Sequence, residues 1–494
     1  MMGLSRVWIT LIGIVLSSFT ISVTAETDSP SFYGKRSVAP NETLSEQAAP
    51  TFQRRSIVMT PQIVEPEHLD ERAVTDESTD LTPAFIQEDE GPHNFPIPLV
   101  LVELTRNEKL LAKKAQYYFD RNWNENTGFT DSVQGYHHVT MWDVASDISA
   151  QFSLEGLGLQ SKEFTHRKLK RLLTTLLEAP LYQGKLPNRE YSTKTGKPSG
   201  RYSNTKSNGN GWSALDIGRL LIWLHIIKQE KKELALLVDN IVSKWSLASS
   251  VHNKTLYGTK LRKQSEHYRQ EGRLGYLQYA ASGFALFGFD VSESYQKTDI
   301  DKVIIGGIPF YIDSRNMPFS TPDPYVLTRL ELGEPTAWWD QLDTIYTLHK
   351  AKEKQTERLW VFGEDAMNQT PWFAYNNIFF YGKSWLSTSA GGKPIEVFQV
   401  FSNKVAFGLS VIYDDEYAER LVENVIANSL YSRSVPTGIY SDGLTNTAHN
   451  INTNSMILSA LLYKRKNNSA MLHTNTKLNN KAVTVLADIK ESDE

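Results

Sequence analysis

One recurrence constrains the fold more than any other feature. Across residues 97–466, amphipathic helical patterns return in pairs about every 50 to 60 residues. The pairs are 103–122 with 140–156, 162–178 with 212–227, 232–247 with 274–288, 323–333 with 336–354, 372–380 with 403–413, and 415–429 with 452–464. The second members are the more apolar, as in Ala214 to Ile227 and Met456 to Tyr463. A helix that is apolar all round has to be buried, so second members are expected to form an inner ring and first members an outer one. Six pairs closing on themselves make a mainly all-α (α/α)6 toroid with aromatic-rich loops. The 360–400 stretch, with Trp360, Trp372, Phe373, Phe379, Phe380 and Trp385, alternates irregularly, and short strands are expected there.

In such a toroid the loops entering the inner helices open at one end. They carry Phe129, Asp131 and Tyr136 before the first inner helix, Glu190 to Trp212 before the second, Glu271 and Arg273 before the third, and Tyr440, Asp442 and Asn446 before the last. Two inner helices begin alike. Thr140-Met141-Trp142-Asp143 and Ser213-Ala214-Leu215-Asp216 both set a hydroxyl three residues before a carboxylate, the spacing of a capping box, and an Asp there also complements the helix dipole. Two readings of Asp143 and Asp216 stand together: helix capping, and contact with substrate hydroxyls at the mouth. Glycoside hydrolysis commonly takes two carboxyl groups, one to protonate the leaving oxygen and one to activate water or attack carbon. Asp131, Glu190, Glu271 and Asp442 are the mouth candidates, although each taken singly also suits a solvated or capping loop acid.

Other chemistries lose their usual support. A formal charge of −4 gives no basic footprint for nucleic acid. Cysteine is absent, which removes disulfides, thiolate metal sites and cysteine nucleophiles. His137-His138 is an adjacent pair whose side chains diverge on helix or strand, and HExxH and EF-hand patterns do not occur, so neither metal nor cofactor is expected. P-loop, G-x-G-x-x-G and G-x-S-x-G signatures do not occur either.

The N-terminus carries Arg6, an uncharged apolar run from Val7 to Leu16, and Val23-Thr24-Ala25. This reads as a signal peptide over 1–25 cleaved after Ala25, the alternative being an uncleaved anchor. No other stretch could span a bilayer, so no transmembrane segment is expected after cleavage. Residues 26–96 read as a disordered acidic linker, with 14 acidic against 5 basic residues over 26–98. Residues 467–494 read as a flexible tail. A cysteine-free exported chain suits the periplasm of a Gram-negative bacterium.

Several segments together resemble the bacterial domain of unknown function 3131, a family of exported or envelope-associated proteins. They are Thr127-Gly128-Phe129 through Met141-Trp142-Asp143-Val144-Ala145-Ser146, Leu186-Pro187-Asn188, Gly211-Trp212-Ser213-Ala214-Leu215-Asp216 through Leu221, Glu271-Gly272-Arg273-Leu274-Gly275-Tyr276, Pro371-Trp372-Phe373-Ala374-Tyr375-Asn376, and Asn452-Thr453-Asn454. The resemblance runs in order over most of 97–466 and implies a glucoamylase-type helical toroid acting on glucans. Two departures stand out: the family pattern often has acids after the Gly-Tyr of the third inner helix and near the end, where this chain has Leu277-Gln278 and Ser441.

The functional expectation is an exported glycoside hydrolase acting on a glucan or envelope polysaccharide, with Glu271 as general acid and Asp131 as general base. Asp143, Asp216, Trp142, Trp212, Glu190, Arg273, Tyr440, Asp442 and Asn446 are expected to contact an oligo- or polysaccharide partner, because hydroxyl-dense sugars need polar partners and aromatic faces. Two rivals are a non-catalytic glycan-binding or envelope-assembly module, suggested by Leu277 and Ser441, and a polysaccharide lyase using Tyr440, His449, Asn446 and Arg273.

Overall fold

The computed structural model describes residues 101–472 apart from 201–202, 263–264, 315–318, 334–339 and 390. The expected signal peptide and acidic linker, and the tail from 473 on, lie outside the described residues. Among the described residues no helix is long and apolar enough to cross a membrane.

Eleven α-helices are described: α1 (Arg106–Asn122), α2 (Met141–Gly156), α3 (Lys162–Glu178), α4 (Ala214–Glu230), α5 (Ala235–Lys244), α6 (Tyr276–Ala285), α7 (Asp323–Glu331), α8 (Leu342–Thr356), α9 (Asn403–Ile412), α10 (Glu416–Ser429) and α11 (Ile451–Arg465). Six of them, α2, α4, α6, α7, α9 and α11, pack in that cyclic order, with α11 returning to α2. They run in one direction. Ser146 and Ser149 of α2 bond Asn452 and Ser459 of α11, in the same order along both helices, at 2.7 and 2.6 Å. On α4, Arg219 reaches Ser146 of α2 at 2.7 Å. Gly218 of α4 and Gly283 of α6 meet backbone to backbone, so closely that a Cβ on Gly283 would stand 1.9 Å from the Gly218 carbonyl oxygen.

Helices α1, α3, α5, α8 and α10 lie outside this ring. Each buries one stripe, for example Leu169, Leu172, Leu173 and Leu176 of α3, while α4 and α11 are buried on nearly every face. Between α6 and α7 the chain makes an antiparallel hairpin, Ile300–Ile305 with Ile308–Asp313, in place of an outer helix.

Three expectations change. Residues 323–333 were expected outside and 336–354 inside; the order is reversed, because eight of the nine residues of α7 are buried whereas α8 buries only one stripe through Leu342, Ile345 and Leu348. The 372–380 segment is a strand, Phe373–Phe380, paired on either side with Glu364–Ala366 and Lys383–Ser389. All eight of its residues are buried, so it has no alternation by which sequence could show it as a strand. The packed chain also continues past 466: Met471 and Leu472 are buried and their N–H groups donate to Leu330 and Glu331 carbonyls.

Strands therefore have a definite place in a mainly helical ring. A short one precedes every inner helix: His138–Val139, Gly211–Trp212, Ser265–Gln270, Phe319–Ser320, Gln399–Ser402 and Thr445–Asn446. They build the end of the ring where the inner helices start.

Candidate active site

The mouth is assembled from these strands and the helix starts beneath them. At α2 the capping box is complete. Asp143 Oδ2 accepts from the Thr140 N–H at 3.0 Å and hydroxyl at 2.8 Å, and Thr140 Oγ1 accepts from the Asp143 N–H at 3.2 Å. The other oxygen, Oδ1, accepts from Asn452 Nδ2 of α11 at 2.9 Å, so this fully buried carboxylate ties the first and last inner helices together. At α4, Asp216 N–H donates to Ser213 Oγ at 3.3 Å and the carboxylate is buried.

Pairing of His138 with Ser192 and Val139 with Tyr191 brings the strand His138–Val139, and Tyr136 before it, alongside Glu190. The Tyr136 hydroxyl donates to Glu190 Oε1 at 2.9 Å, and His138 Nδ1 lies 3.3 Å from the same oxygen and 2.8 Å from Ser199 Oγ. Gly200 stands against Oε2, where a Cβ would come within 2.7 Å. Glu190 is 6% exposed. Burial, reinforced by the Asp143 charge and only partly offset by the Tyr136 bond, pushes its carboxyl up to about 7. Burial and the neighbouring His137 hold His138 below its usual range, against an opposing pull from Asp131.

Asp131 completes this side. Its Oδ1 accepts from Thr193 Oγ1 at 2.5 Å, Oδ2 meets His137 Nδ1 at 2.8 Å, and the Tyr118 hydroxyl fixes the Asp131 carbonyl at 2.6 Å. The adjacent histidines do diverge, His137 to Asp131 and His138 to Glu190 and Ser199.

A cavity of about 400 Å³ opens beside this group. Tyr136, Met367, Asn368, Trp372 and His449 are among its walls, and Trp372 is 41% exposed. Tyr136 thus both lines the cavity and has its hydroxyl on Glu190.

Across the mouth lies a second acidic group of different character. Lys404 of α9, fully inside, sits 2.7 Å from Asp323 Oδ1 and 3.5 Å from Asp365 Oδ1, and donates to the Glu364 carbonyl. Arg273 Nη2 pairs with Glu364 Oε1 at 3.2 Å, and Thr321 Oγ1 donates to the same oxygen. Burial raises the Asp365 carboxyl to about 6 against the pull of Lys404; burial would lower Lys404, but Asp323 and Asp365 hold it above its ordinary value.

The remaining expected site residues have other duties. Glu271 is 1% exposed with both oxygens taken, Oε1 by the Arg189 guanidinium and Oε2 by the Ala214 N–H at 2.7 Å, so it caps α4 instead of facing the cavity. Trp142 is buried beneath the Arg219 guanidinium, 4.6 Å above its ring, and Trp212 is buried with its indole N–H on the Tyr257 carbonyl at 3.1 Å; neither presents a face to a sugar. Asp442 is exposed in the turn after Gly438–Tyr440, accepting from Leu444 N–H. Asn446 is buried, bridging the Ala366 carbonyl and Gln399, while the Tyr440 hydroxyl donates to Asn368 Oδ1 at 2.6 Å. In place of an acid after Tyr276, Gln278 Oε1 accepts from Gly275 N–H at 2.8 Å and caps α6.

The reading from sequence missed Trp372 as the exposed ring and missed the Lys404 cluster. A lone lysine inside Val400–Val411 was the available signal, since a buried cation requires carboxylates around it. Among the described residues no group of three metal-ligating side chains occurs.

The model of the family described as protein of unknown function (DUF3131) matches residues 110–467. The chain belongs to that family. No curated protein matches the sequence. This family member has the fold of several solved structures. A candidate glucoamylase from Bacteroides fragilis NCTC 9343 superposes with a TM-score of 0.60 at 12% identity, over 79% of this chain and 99% of that one. Another, from Bacteroides caccae ATCC 43185, gives 0.58 at 11% identity over 77% and 98%. An endo-β-1,2-glucanase from Chitinophaga pinensis, in complex with sophorotriose and glucose, gives 0.56 at 11% identity over 77% and 97%. The ring of six inner helices with strands at their starts is therefore the glucoamylase-like helical toroid.

Proposed function

We propose that this DUF3131 protein is a glycoside hydrolase acting on a glucan, with Glu190 as proton donor and Asp131 as the second carboxyl group. The observation that carries the reading is Glu190: a buried carboxyl raised to about 7, one phenol away from a cavity rimmed by an exposed Trp. A general acid works best when its pKa lies near the working pH. With Oε1 accepting from Tyr136, Oε2 is the oxygen that would carry the proton for a leaving glycosidic oxygen. The Asp131 carboxylate, steered by Thr193 and His137, is the partner that activates water or attacks carbon. Glu271, the acid expected from sequence, gives up that role because Arg189 and Ala214 occupy both of its oxygens. The lyase alternative loses its uronate-binding cation, since Arg273 is paired with Glu364.

Export to the periplasm is part of the proposal and rests on the 1–25 pattern. The neighbour complexed with sophorotriose makes β-1,2-glucan the first substrate to try. The chain from residue 26 on, incubated with β-1,2-, β-1,3- and α-1,4-glucans, is expected to release reducing ends from at least one, and Glu190→Gln is expected to release none. Turnover that survives Glu190→Gln overturns the acid assignment; a wild type inert on every glycan leaves the glycan-binding module as the better account.

A further inference from the structure

We infer that the mouth carries a second subsite, built on Arg121 and Arg433, that takes a saccharide unit bearing an anionic group. The inference rests on the glycan-active reading of the first cavity and adds a charge preference to it. A second cavity of about 330 Å³ lies between the end of α1 and the turn that follows α10. Gln134 and His449 line both cavities, so the two adjoin across that pair. The new part is walled by Tyr117, Arg121 and Arg433, and its volume lies in the range of sites for small ligands.

Its charge is one-sided. No lining residue carries a carboxylate, and among the described residues neither Arg121 nor Arg433 has an ion-pair partner. Elsewhere in this domain Arg189, Arg219, Arg273, Arg329 and Arg420 are each matched by an Asp or Glu. Arg121 and Arg433 instead bring two guanidinium groups with no carboxylate partner among the described residues onto one concavity. Nor is Arg433 simply loose in solvent: Nη1 donates to Tyr117 Oη at 3.2 Å with the guanidinium 6.0 Å from the ring centre. The turn that carries it is held by Lys114 Nζ, which donates to the Leu430 and Ser432 carbonyls and adds a third positive charge. The bond from Arg433 and the Arg121 charge also draw the Tyr117 phenol below its usual value, a sign of positive potential at this spot.

Guanidinium forks match carboxylate and phosphate oxygens two at a time. Tyr431, 99% exposed on the rim, offers an uncovered ring against which a sugar can stack. Both guanidinium groups are exposed to water, and a uronate or a phosphate ester offers them a charged, bidentate partner that a neutral hydroxyl does not.

The test is calorimetric binding of three probes of equal length to the full chain: a neutral gluco-oligosaccharide, the same compound carrying a phosphate ester, and a uronate oligosaccharide. At low salt at least one anionic probe is expected to bind about tenfold tighter than the neutral one, an advantage that shrinks as salt screens it. The phosphate and uronate arms show which anion the subsite prefers. In R121Q/R433Q the anionic-to-neutral ratio is expected to fall at least about fivefold, with part of it kept in R121K/R433K, which retains charge but not the fork. Equal affinity for all three probes in wild type, or an advantage untouched in R121Q/R433Q, overturns the inference. An arginine-dependent advantage in a protein that hydrolyses no glucan keeps the subsite and removes the hydrolase; hydrolysis with no charge preference does the reverse.

Discussion

At the α2–α4 side of the mouth, Glu190 and Asp131 face a phenol, two imidazoles and a threonine hydroxyl; at the α7–α9 side, Asp323, Glu364 and Asp365 face a lysine and an arginine. Both groups are buried at the starts of inner helices. The difference lies in their partners. Carboxylates matched by cations hold a structure in place, since the cation has no other way to be buried. A buried carboxyl bonded to a phenol, as Glu190 is to Tyr136, keeps a choice between protonated and ionised forms, which proton transfer requires.

The sharpest way to break this contrast is Glu190→Gln. Turnover should fall by about 10²–10⁴-fold, the usual worth of a general acid, with the thermal midpoint little changed. A drop in stability without a change in kcat would move Glu190 to the structural side. Next in size is Lys404→Met, which strands Asp323 and Asp365 without their cation. A loss of about 3–5 kcal/mol in denaturant unfolding is expected, the cost of breaking a buried pair from one side. If the variant unfolds at the wild-type midpoint, the α7–α9 group is not held together as described.

Both sides should respond to pH, over different spans: the contribution of Asp365, raised to about 6, is lost as pH rises to about 6, and that of Glu190 only as it rises to about 7. Glu190 is raised to about 7, against roughly 4.3 in an unfolded chain, so the folded state keeps a proton that the unfolded state has released. Its contribution to stability is complete below pH ~4.3 and lost as pH rises to about 7, on the order of 3 kcal/mol over that span. Urea midpoints at pH 5 and pH 8, in wild type and Glu190→Gln, would show whether this slope belongs to Glu190. Activity that needs the protonated acid should fall over the same upper limb, above about pH 7.

Smaller effects sharpen the picture. Glu271→Gln disturbs the contacts to Arg189 and the Ala214 N–H and should cost about 1–3 kcal/mol in stability, with less loss of kcat than Glu190→Gln. The reverse ranking of the two variants in kcat would restore Glu271 as the acid. Trp372→Ala removes the exposed ring at the cavity, and a rise in KM of about 3- to 10-fold at nearly constant kcat is expected from loss of one stacking face.

Much of the ring was legible because helices in two layers differ in pattern. The one-sided stripe of α3 and the all-round burial of α4 and α11 follow from local residue spacing, and spacing is written in the chain. The same logic failed at α7 and at Phe373–Phe380. A nine-residue helix and a strand buried on both faces have too little periodicity to show their layer or type. The capping box at Asp143 was legible for the same local reason: Thr140 and Asp143 are three residues apart, and the bonds between them need nothing else.

What the sequence determined by itself was the class of the fold, its family, and some of the carboxylates near the mouth, Asp131, Asp143, Glu190 and Glu271 among them but not Asp323, Glu364 or Asp365. Only the tertiary structure decided which of them is available for chemistry. Glu190 and Glu271 are both glutamates in the connections that lead into inner helices, yet one meets Tyr136 and the other Arg189. Those partners come from 54 and 82 residues away along the chain. The free energy of a proton on a carboxyl is set by burial and by whichever charges and dipoles lie within a few ångströms, and that neighbourhood exists only once the ring has closed.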